Sequence, residues 1–462
     1  MRLRIVLLVL VSAIGFASCT TTPNSNNPTV TTTTASPTPS PSTSATDSIS
    51  QVTLPVLDAL LANQTFTSEL KAKLQLTDDQ IGSLKDVASR EVARLRETNA
   101  EDATGDAAEP RERATKQIIA VLGEEKAKQF ASLASDFWAN AGEEGAGTVG
   151  REVAGAMPSQ PNSVPTDTRI VVNIPAFRMD LFENGNLVKS YKVGIGYPEF
   201  PLPQGLRKAQ TIIVNPTWTP PDEPWVAKMG RTPGEKIEAG STLNPLGPIK
   251  IPIGGPSLIH GGKSPAKLGT FASHGCVGLT TAQVKDFARL LAKASGTELA
   301  DATMEKYLKD RTTTKSVKLK QTVPVELRYE TIVVEDGKLH IYKDVYAQNA
   351  NTEENLRRVL ETHGVRFDDL SADEKNQLLY ALNAMSAKPK PMPSPSPLRD
   401  AVNANLNSNA NKTASKKGKR EEKKPKNVFV MELAALSGRG YPAPVNFDTG
   451  SGKPAPTVAA VR

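Results

Sequence analysis

The chain has 462 residues, with charged residues at 23% and a formal net charge of +7. That length leaves room for two or three domains once linkers are set aside. The mild positive balance is not gathered on one motif, so nucleic acid is not an expected partner. There are two cysteines, Cys19 and Cys276, too few for a disulfide framework.

Residues 1–18 read as a secretory signal. Arg2 and Arg4 form a basic start, Ile5 to Phe16 is almost wholly apolar, and Ala17-Ser18 supply small residues before Cys19. The run is short for a membrane span. Its end resembles a bacterial lipobox, although Phe16 stands where Leu is usual. The resemblance implies a mature chain beginning at a lipidated Cys19. Thr20 in the next position favours the outer membrane where two membranes are present. The expected location is therefore the cell envelope, lipid-anchored and facing the periplasm, with a membrane as one partner. A lipidated Cys19 cannot bridge to Cys276, which then stays a free thiol in an oxidising compartment.

Residues 19–50 are Thr-, Ser-, Asn- and Pro-rich with almost no large apolar groups, and they read as a disordered tether. Residues 51–141 read as helical. Thr77 and Gln80 make a capping box, and Ile81, Leu84, Ala88, Val92 and Leu95 form one apolar stripe. Pro110 opens a second stripe through Ile118, Leu122, Phe130 and Phe137, so an antiparallel pair of helices is expected. Nothing in this region names a ligand. A spacer, or a surface for an envelope protein, fits it.

Residues 142–167 are Gly-, Ser- and Pro-rich and read as a linker. The texture then becomes β. Arg169 to Ile174 is an apolar strand, and two further runs flank Asn184-Gly185, a hairpin signal. Gln210 to Val214, Val323 to Tyr329, Thr331 to Val334 and Lys338 to Tyr342 continue the pattern. One helical stripe, Val284, Phe287, Leu290 and Leu291, interrupts it. The expected fold is a mostly-β domain over 168–348 with one or two helices. A helical segment over 349–387 and a mostly disordered tail over 388–462 complete the chain. The densest basic run, Lys416 to Lys426, reads as solvated tail.

The chemistry gathers around Cys276. It lies in Ser273-His274-Gly275-Cys276, with His260-Gly261 upstream. A thiol attacks only as thiolate, so it needs a base, and His260 is the candidate. Gly275 lets backbone approach a substrate closely, and N–H groups near Cys276 can face a carbonyl oxygen. These are the parts of an acyl-transfer site. A zinc site from His260, His274 and Cys276 lacks a carboxylate ligand, so no metal or other cofactor is expected. His340 and His363 read as surface or packing residues. Trp218 and Trp225 flank prolines and suit either the cleft or the core.

His260, twelve intervening residues and Ser273-His274-Gly275-Cys276 resemble the signature of the YkuD-type L,D-transpeptidases. Asn215-Pro216-Thr217-Trp218-Thr219-Pro220-Pro221 and Asn244-Pro245-Leu246-Gly247 resemble its ErfK/YbiS branch. The resemblance implies a β-sandwich-like catalytic domain with the cysteine deep in a cleft, acting on peptidoglycan stem peptides. It makes Cys276 the nucleophile and His260 the proton carrier, oriented by the Gly261 carbonyl. Ser273 and His274 would shape the site, and the Gly275 and Cys276 N–H groups would be oxyanion donors. The implied reaction releases D-Ala from a tetrapeptide donor and cross-links the third residues of two stems. Water or a protein lysine as acceptor would make it an L,D-carboxypeptidase or a protein-to-wall ligase. A non-catalytic wall-binding lipoprotein is the remaining reading. Two positions depart from the pattern. Gly278 stands where Arg or Asn is usual, and Leu202-Pro203-Gln204-Gly205-Leu206-Arg207 replaces a Thr-Pro-x-Gly-x-aromatic segment.

Overall fold

The computed structural model describes residues 52–98, 106–140, 157–391 apart from 224, 227 and 228, and 427–451. The segments read as a signal and a tether, with Cys19, and the Lys416–Lys426 run lie outside the described residues.

Among its described residues the helical region holds five helices: α1 (Leu54–Leu61), α2 (Gln64–Leu74), α3 (Asp78–Thr98), α4 (Glu109–Leu122) and α5 (Glu124–Asn140). The two apolar stripes become more than a pair of helices for local reasons. Asn63 caps a separate α2 by accepting from the Phe66 N–H. Gly123, with φ +76°, ends α4 and splits the second stripe in two. The Thr77–Gln80 box starts α3, with Gln80 N–H on Thr77 Oγ at 3.2 Å and Thr77 N–H on Gln80 Oε1 at 3.1 Å. Leu57, Phe66, Leu70, Leu84 and Phe130 are fully buried between these helices. Each such side chain contributes about 1.5–3 kcal/mol relative to exposure.

The central domain is built on one eight-stranded sheet. In chain order its strands are β1 (Arg169–Asn173), β2 (Arg178–Glu183), β3 (Asn186–Lys192), β5 (Gly205–Val214), β6 (Ile249–Pro252), β7 (Leu258–His260), β9 (Val277–Gly278) and β10 (Lys315–Arg328). Their spatial order is β3-β2-β1-β10-β5-β6-β7-β9. The pairs β1/β10 and β7/β9 are parallel and the others antiparallel. Asn184 and Gly185, both at positive φ, turn β2 into β3. A two-stranded parallel sheet, β4 (Ile195–Gly196) with β8 (Phe271–Ser273), lies alongside.

Helix α6 (Thr281–Ala294) starts at a Thr280–Gln283 capping box and buries Val284, Phe287, Ala288 and Leu291 against the sheet. Helix α7 (Asp301–Lys309) adds Met304 and Leu308 to the same core. The expected architecture, a helical region ahead of a largely β domain with one or two helices, is the one observed.

The C-terminal part differs from the sequence reading. Strands β11 (Ile332–Glu335) and β12 (Lys338–Tyr342) are outside the large sheet; they pair with each other, and β12 pairs with β13 (Val428–Glu432) in a separate three-stranded sheet. Helices α8 (Glu353–Thr362) and α9 (Ala372–Met385) cover this small sheet, around Leu339, Ile341, Leu356, Leu360 and Leu378. The stretch after β13 returns to the central domain, where Lys192 N–H donates to the Asp448 carbonyl and Tyr441 meets Phe182 edge-on. Arg178 seals the junction with ion pairs to Asp180 (2.8 Å) and Glu335 (2.6 Å) and a bond to the Pro442 carbonyl. Two helices and the polar stretch after them separate β13 from its partner strand, so no local signal announces this pairing.

Candidate active site

The pairing of β7 with β9 builds the site. In its parallel register Ile259 lies opposite Val277 and His260 opposite Gly278. Cys276 directly precedes β9, two residues from Gly278. The register therefore brings the chain at the end of β7, with His260, beside the chain that leaves the Cys276 turn. Position 278, directly opposite the imidazole, carries no side chain.

His260 is buried, and its Nδ1 lies 2.8 Å from the carbonyl oxygen of Gly261. A carbonyl only accepts, so Nδ1 carries the hydrogen and Nε2 is left as the basic atom. Two glycines make this possible. A Cβ on Gly261 would sit 2.6 Å from Val284 Cγ1 in α6. A Cβ on Gly247 would sit 2.5 Å from the Gly262 nitrogen. The 245–247 segment therefore lies directly against the backbone after His260, and the Leu246 backbone also favours the protonated ring.

Burial still dominates, and with the Lys263 charge it pushes His260 down to about 3. Burial likewise pushes the Cys276 thiol up, against the Leu258 backbone and Lys263, which favour the thiolate. Both shifts favour the uncharged forms, a thiol and a neutral imidazole. The thiol Sγ lies 3.9 Å from the Pro256 carbonyl oxygen.

Ser273 closes the turn that carries the nucleophile. Its Oγ accepts from the Cys276 N–H (3.1 Å) and donates to the Cys276 carbonyl (2.5 Å). The turn needs Gly275, whose φ is +84°. The resemblance assigns the Cys276 N–H to an oxyanion, whereas here it is held by Ser273.

His274 packs into an aromatic box. Trp225 stacks on it at 4.2 Å, and Phe200 and Tyr197 stand 5.1 and 5.2 Å away. Trp218 stacks behind Trp225 at 5.9 Å. Among the described residues no group of three His, Cys, Asp or Glu side chains is placed to hold a metal ion.

Sequence reasoning picked out Trp218 and Trp225 but missed Tyr197, Phe200 and Lys263. The Tyr197 N–H bonds to the Ser273 carbonyl at 2.8 Å, across a pairing with no local sequence signature. The branch motif at Asn215 has a structural job. Asn215 Nδ2 donates to the carbonyls of Tyr307 (2.7 Å) and Asp310 (2.6 Å), tying the chain just after β5 to the C-terminal end of α7.

Several solved structures are similar to part of the chain. The catalytic domain of an E. faecium L,D-transpeptidase is 16% identical, over 36% of this chain and all of that one, at a TM-score of 0.23. An L,D-transpeptidase from Mycobacterium smegmatis is 14% identical, over 35% of this chain and 58% of that one, at 0.21. A mutant Enterococcus faecium L,D-transpeptidase is 15% identical, over 35% of this chain and 50% of that one, at 0.21. The first of the solved chains, the Ldtfm–avibactam carbamoyl enzyme, is matched over about half its length, 49%. No curated protein matches. Residues 167–315, which contain His260 and the Ser273–Cys276 turn, match the YkuD family, described as the L,D-transpeptidase catalytic domain.

Proposed function

We propose that the protein is an L,D-transpeptidase that acts on peptidoglycan stem peptides through a Cys276 acyl-enzyme. The observation that supports this reading is the β7/β9 register, which sets His260 opposite Gly278, two residues after Cys276, inside the YkuD match. In the first half-reaction His260 Nε2 takes the thiol proton as Sγ attacks the carbonyl between the third residue of a tetrapeptide and its terminal D-Ala. The Sγ–C bond forms, the C–N bond breaks, and His260 returns the proton to the departing D-Ala amine. In the second half-reaction an amine of another stem gives its proton to His260 and attacks the thioester. An amide forms and the thiol is restored. The Gly275 and Cys276 N–H groups serve the oxyanion, the latter by sharing its hydrogen between Ser273 Oγ and the substrate.

The chain works in the cell envelope, held by lipid on Cys19. The support is Arg2 and Arg4, the apolar Ile5–Phe16 run and the small residues before Cys19. No helix among the described residues is long and apolar enough to cross a membrane.

The deciding experiment incubates the protein with disaccharide-tetrapeptides and follows the products by mass spectrometry. Loss of D-Ala together with a dimer joined through third residues, both absent with Cys276→Ala, is expected. Loss of D-Ala without a dimer makes water the acceptor. Neither product overturns the reading.

A further inference from the structure

Arg207 lies in β5 opposite Val325 of β10, and the next pair on that face, Ala209 with Val323, belongs with Val325 to the apolar core. It stands where the family pattern has an aromatic ring. The side chain is 2% exposed. Burial pushes its guanidinium down to about 10, which leaves it charged near neutral pH. Its hydrogen bond runs from Nη1 to the Gly254 carbonyl at 3.2 Å. Nε and Nη2 are buried without a partner, and among the described residues no carboxylate acts on the charge. A buried cation left unpaired is costly to a fold, and the Nε–Nη2 edge of a guanidinium matches the two oxygens of one carboxylate.

The Gly254–Ser257 turn between β6 and β7 closes over this group. The Gly254 carbonyl also accepts from the Ser257 N–H at 3.3 Å, so Arg207 and Ser257 meet at one oxygen. The Ser257 hydroxyl is buried and unpaired as well. Gly255 and Pro256 form an exposed tip, and Gly254 and Gly255 take φ of +102° and +57°. The same turn supplies the Pro256 carbonyl that lies 3.9 Å from Cys276 Sγ. One short turn thus touches an unpaired buried cation and the nucleophile.

We propose that Arg207 and Ser257 form a receptor for a single carboxylate, admitted when the Gly254–Ser257 turn lifts. Nε and Nη2 take its two oxygens side-on, and the Ser257 hydroxyl donates a third bond. The carboxylate is carried by the peptide donor or by a free small acid, which offer the same group.

The test follows the melting temperature near neutral pH, at constant ionic strength, with acetate, N-acetyl-D-alanine or neutral N-acetyl-D-alaninamide added. A carboxylate that binds the folded chain should raise the wild-type value by several degrees at saturation, and the amide should not. Arg207→Met should lose the shift. Arg207→Lys keeps the charge without the paired donors and should retain only part of it. Ser257→Ala, a smaller change to the fold, should need roughly five-fold more acid for the same shift, the size of one hydrogen bond. No carboxylate-dependent shift in wild type, an equal shift in Arg207→Met, or an unchanged response in Ser257→Ala overturns the proposal.

The same titrations separate the two carriers. An equal response to acetate and N-acetyl-D-alanine marks a site for free acids, whereas a response to N-acetyl-D-alanine alone marks a peptide terminus. With the peptide as carrier, Arg207→Met should raise KM for a tetrapeptide donor with kcat little changed, and amidating the terminal D-Ala should erase that difference. The site does not depend on the proposed function. If wild type processes no donor that function fails, and the melting shifts still decide the role of Arg207.

Discussion

Trp225 lies face to face with His274, their ring centroids 4.2 Å apart and their planes 10° from parallel. The two segments that form this aromatic box, 197–200 and 218–225, are also the segments on which the helical region rests. Thr53 Oγ donates to the Glu199 carbonyl at 2.7 Å, Arg113 pairs with the Glu199 carboxylate at 2.6 Å, and Arg96 pairs with Asp222 at 2.6 Å. The helices therefore brace the walls that hold His274, next to the nucleophile in the chain. Trp225→Ala removes the stacked face, worth about 0.5–1.5 kcal/mol beyond area burial. The turnover of donor peptide should fall about three- to ten-fold, with Trp225→Phe keeping most of it. Equal activity in the two variants would show that the stack has no part in shaping the site.

The acidity of the pair can be read from the pH dependence of Cys276 alkylation by iodoacetamide. Burial raises the thiol above its ordinary value of 9.0, and burial with Lys263 pushes His260 down to about 3. The rate should climb through a single ionisation in the alkaline range, with no step near 6.5. A plateau of reactivity between pH 5 and 8, the mark of a thiolate–imidazolium pair, is the contrary result.

Ser273→Ala deletes both contacts that hold the Cys276 backbone. Each buried partner left unpaired costs about 1–3 kcal/mol, so the melting temperature should drop by several degrees. Acylation should slow further than the stability loss explains, because the turn no longer fixes Sγ. Ser273→Thr keeps the oxygen and should retain more activity than the alanine variant. If both variants fall alike, the hydroxyl bonds are not what positions the thiol.

The contact of the helical region with Glu199 gives a pH signature to stability. Burial pushes Glu199 up to about 7 from its ordinary 4.5. The Arg113 charge opposes this, the Glu91 carboxylate adds to it, and Arg94 opposes it weakly. A carboxyl that holds its proton more tightly in the folded state contributes stability that is complete below 4.5 and lost as pH rises through about 7. Glu199→Gln should flatten the decline in melting temperature between pH 4.5 and 7.5. His260 runs the other way. Its lowered folded value contributes stability present above 6.5 and lost as pH falls towards about 3. Identical declines in wild type and Glu199→Gln would remove Glu199 from this account.

Short-range chemistry was readable in the residues themselves. Asn184-Gly185 takes positive φ whatever surrounds it, and the Thr77–Gln80 pair satisfies a helix start with atoms three residues apart. The spacing of His260 and Ser273–Cys276 carried the resemblance because it counts residues between neighbouring strands. Tertiary structure decided what depends on distant segments meeting. Strand β13 pairs with β12 across two helices and a polar stretch, so part of the segment read as mostly disordered tail joins a second sheet. The walls around His274 come from loops far from it in sequence. Lys263 lies over Gly278 only because β7 and β9 run side by side, and a missing side chain becomes a place for a cation only when something else occupies the space. Local hydrogen-bond and turn preferences act within a few residues and can be read along the chain, whereas packing and charge proximity exist only after the chain has folded back on itself.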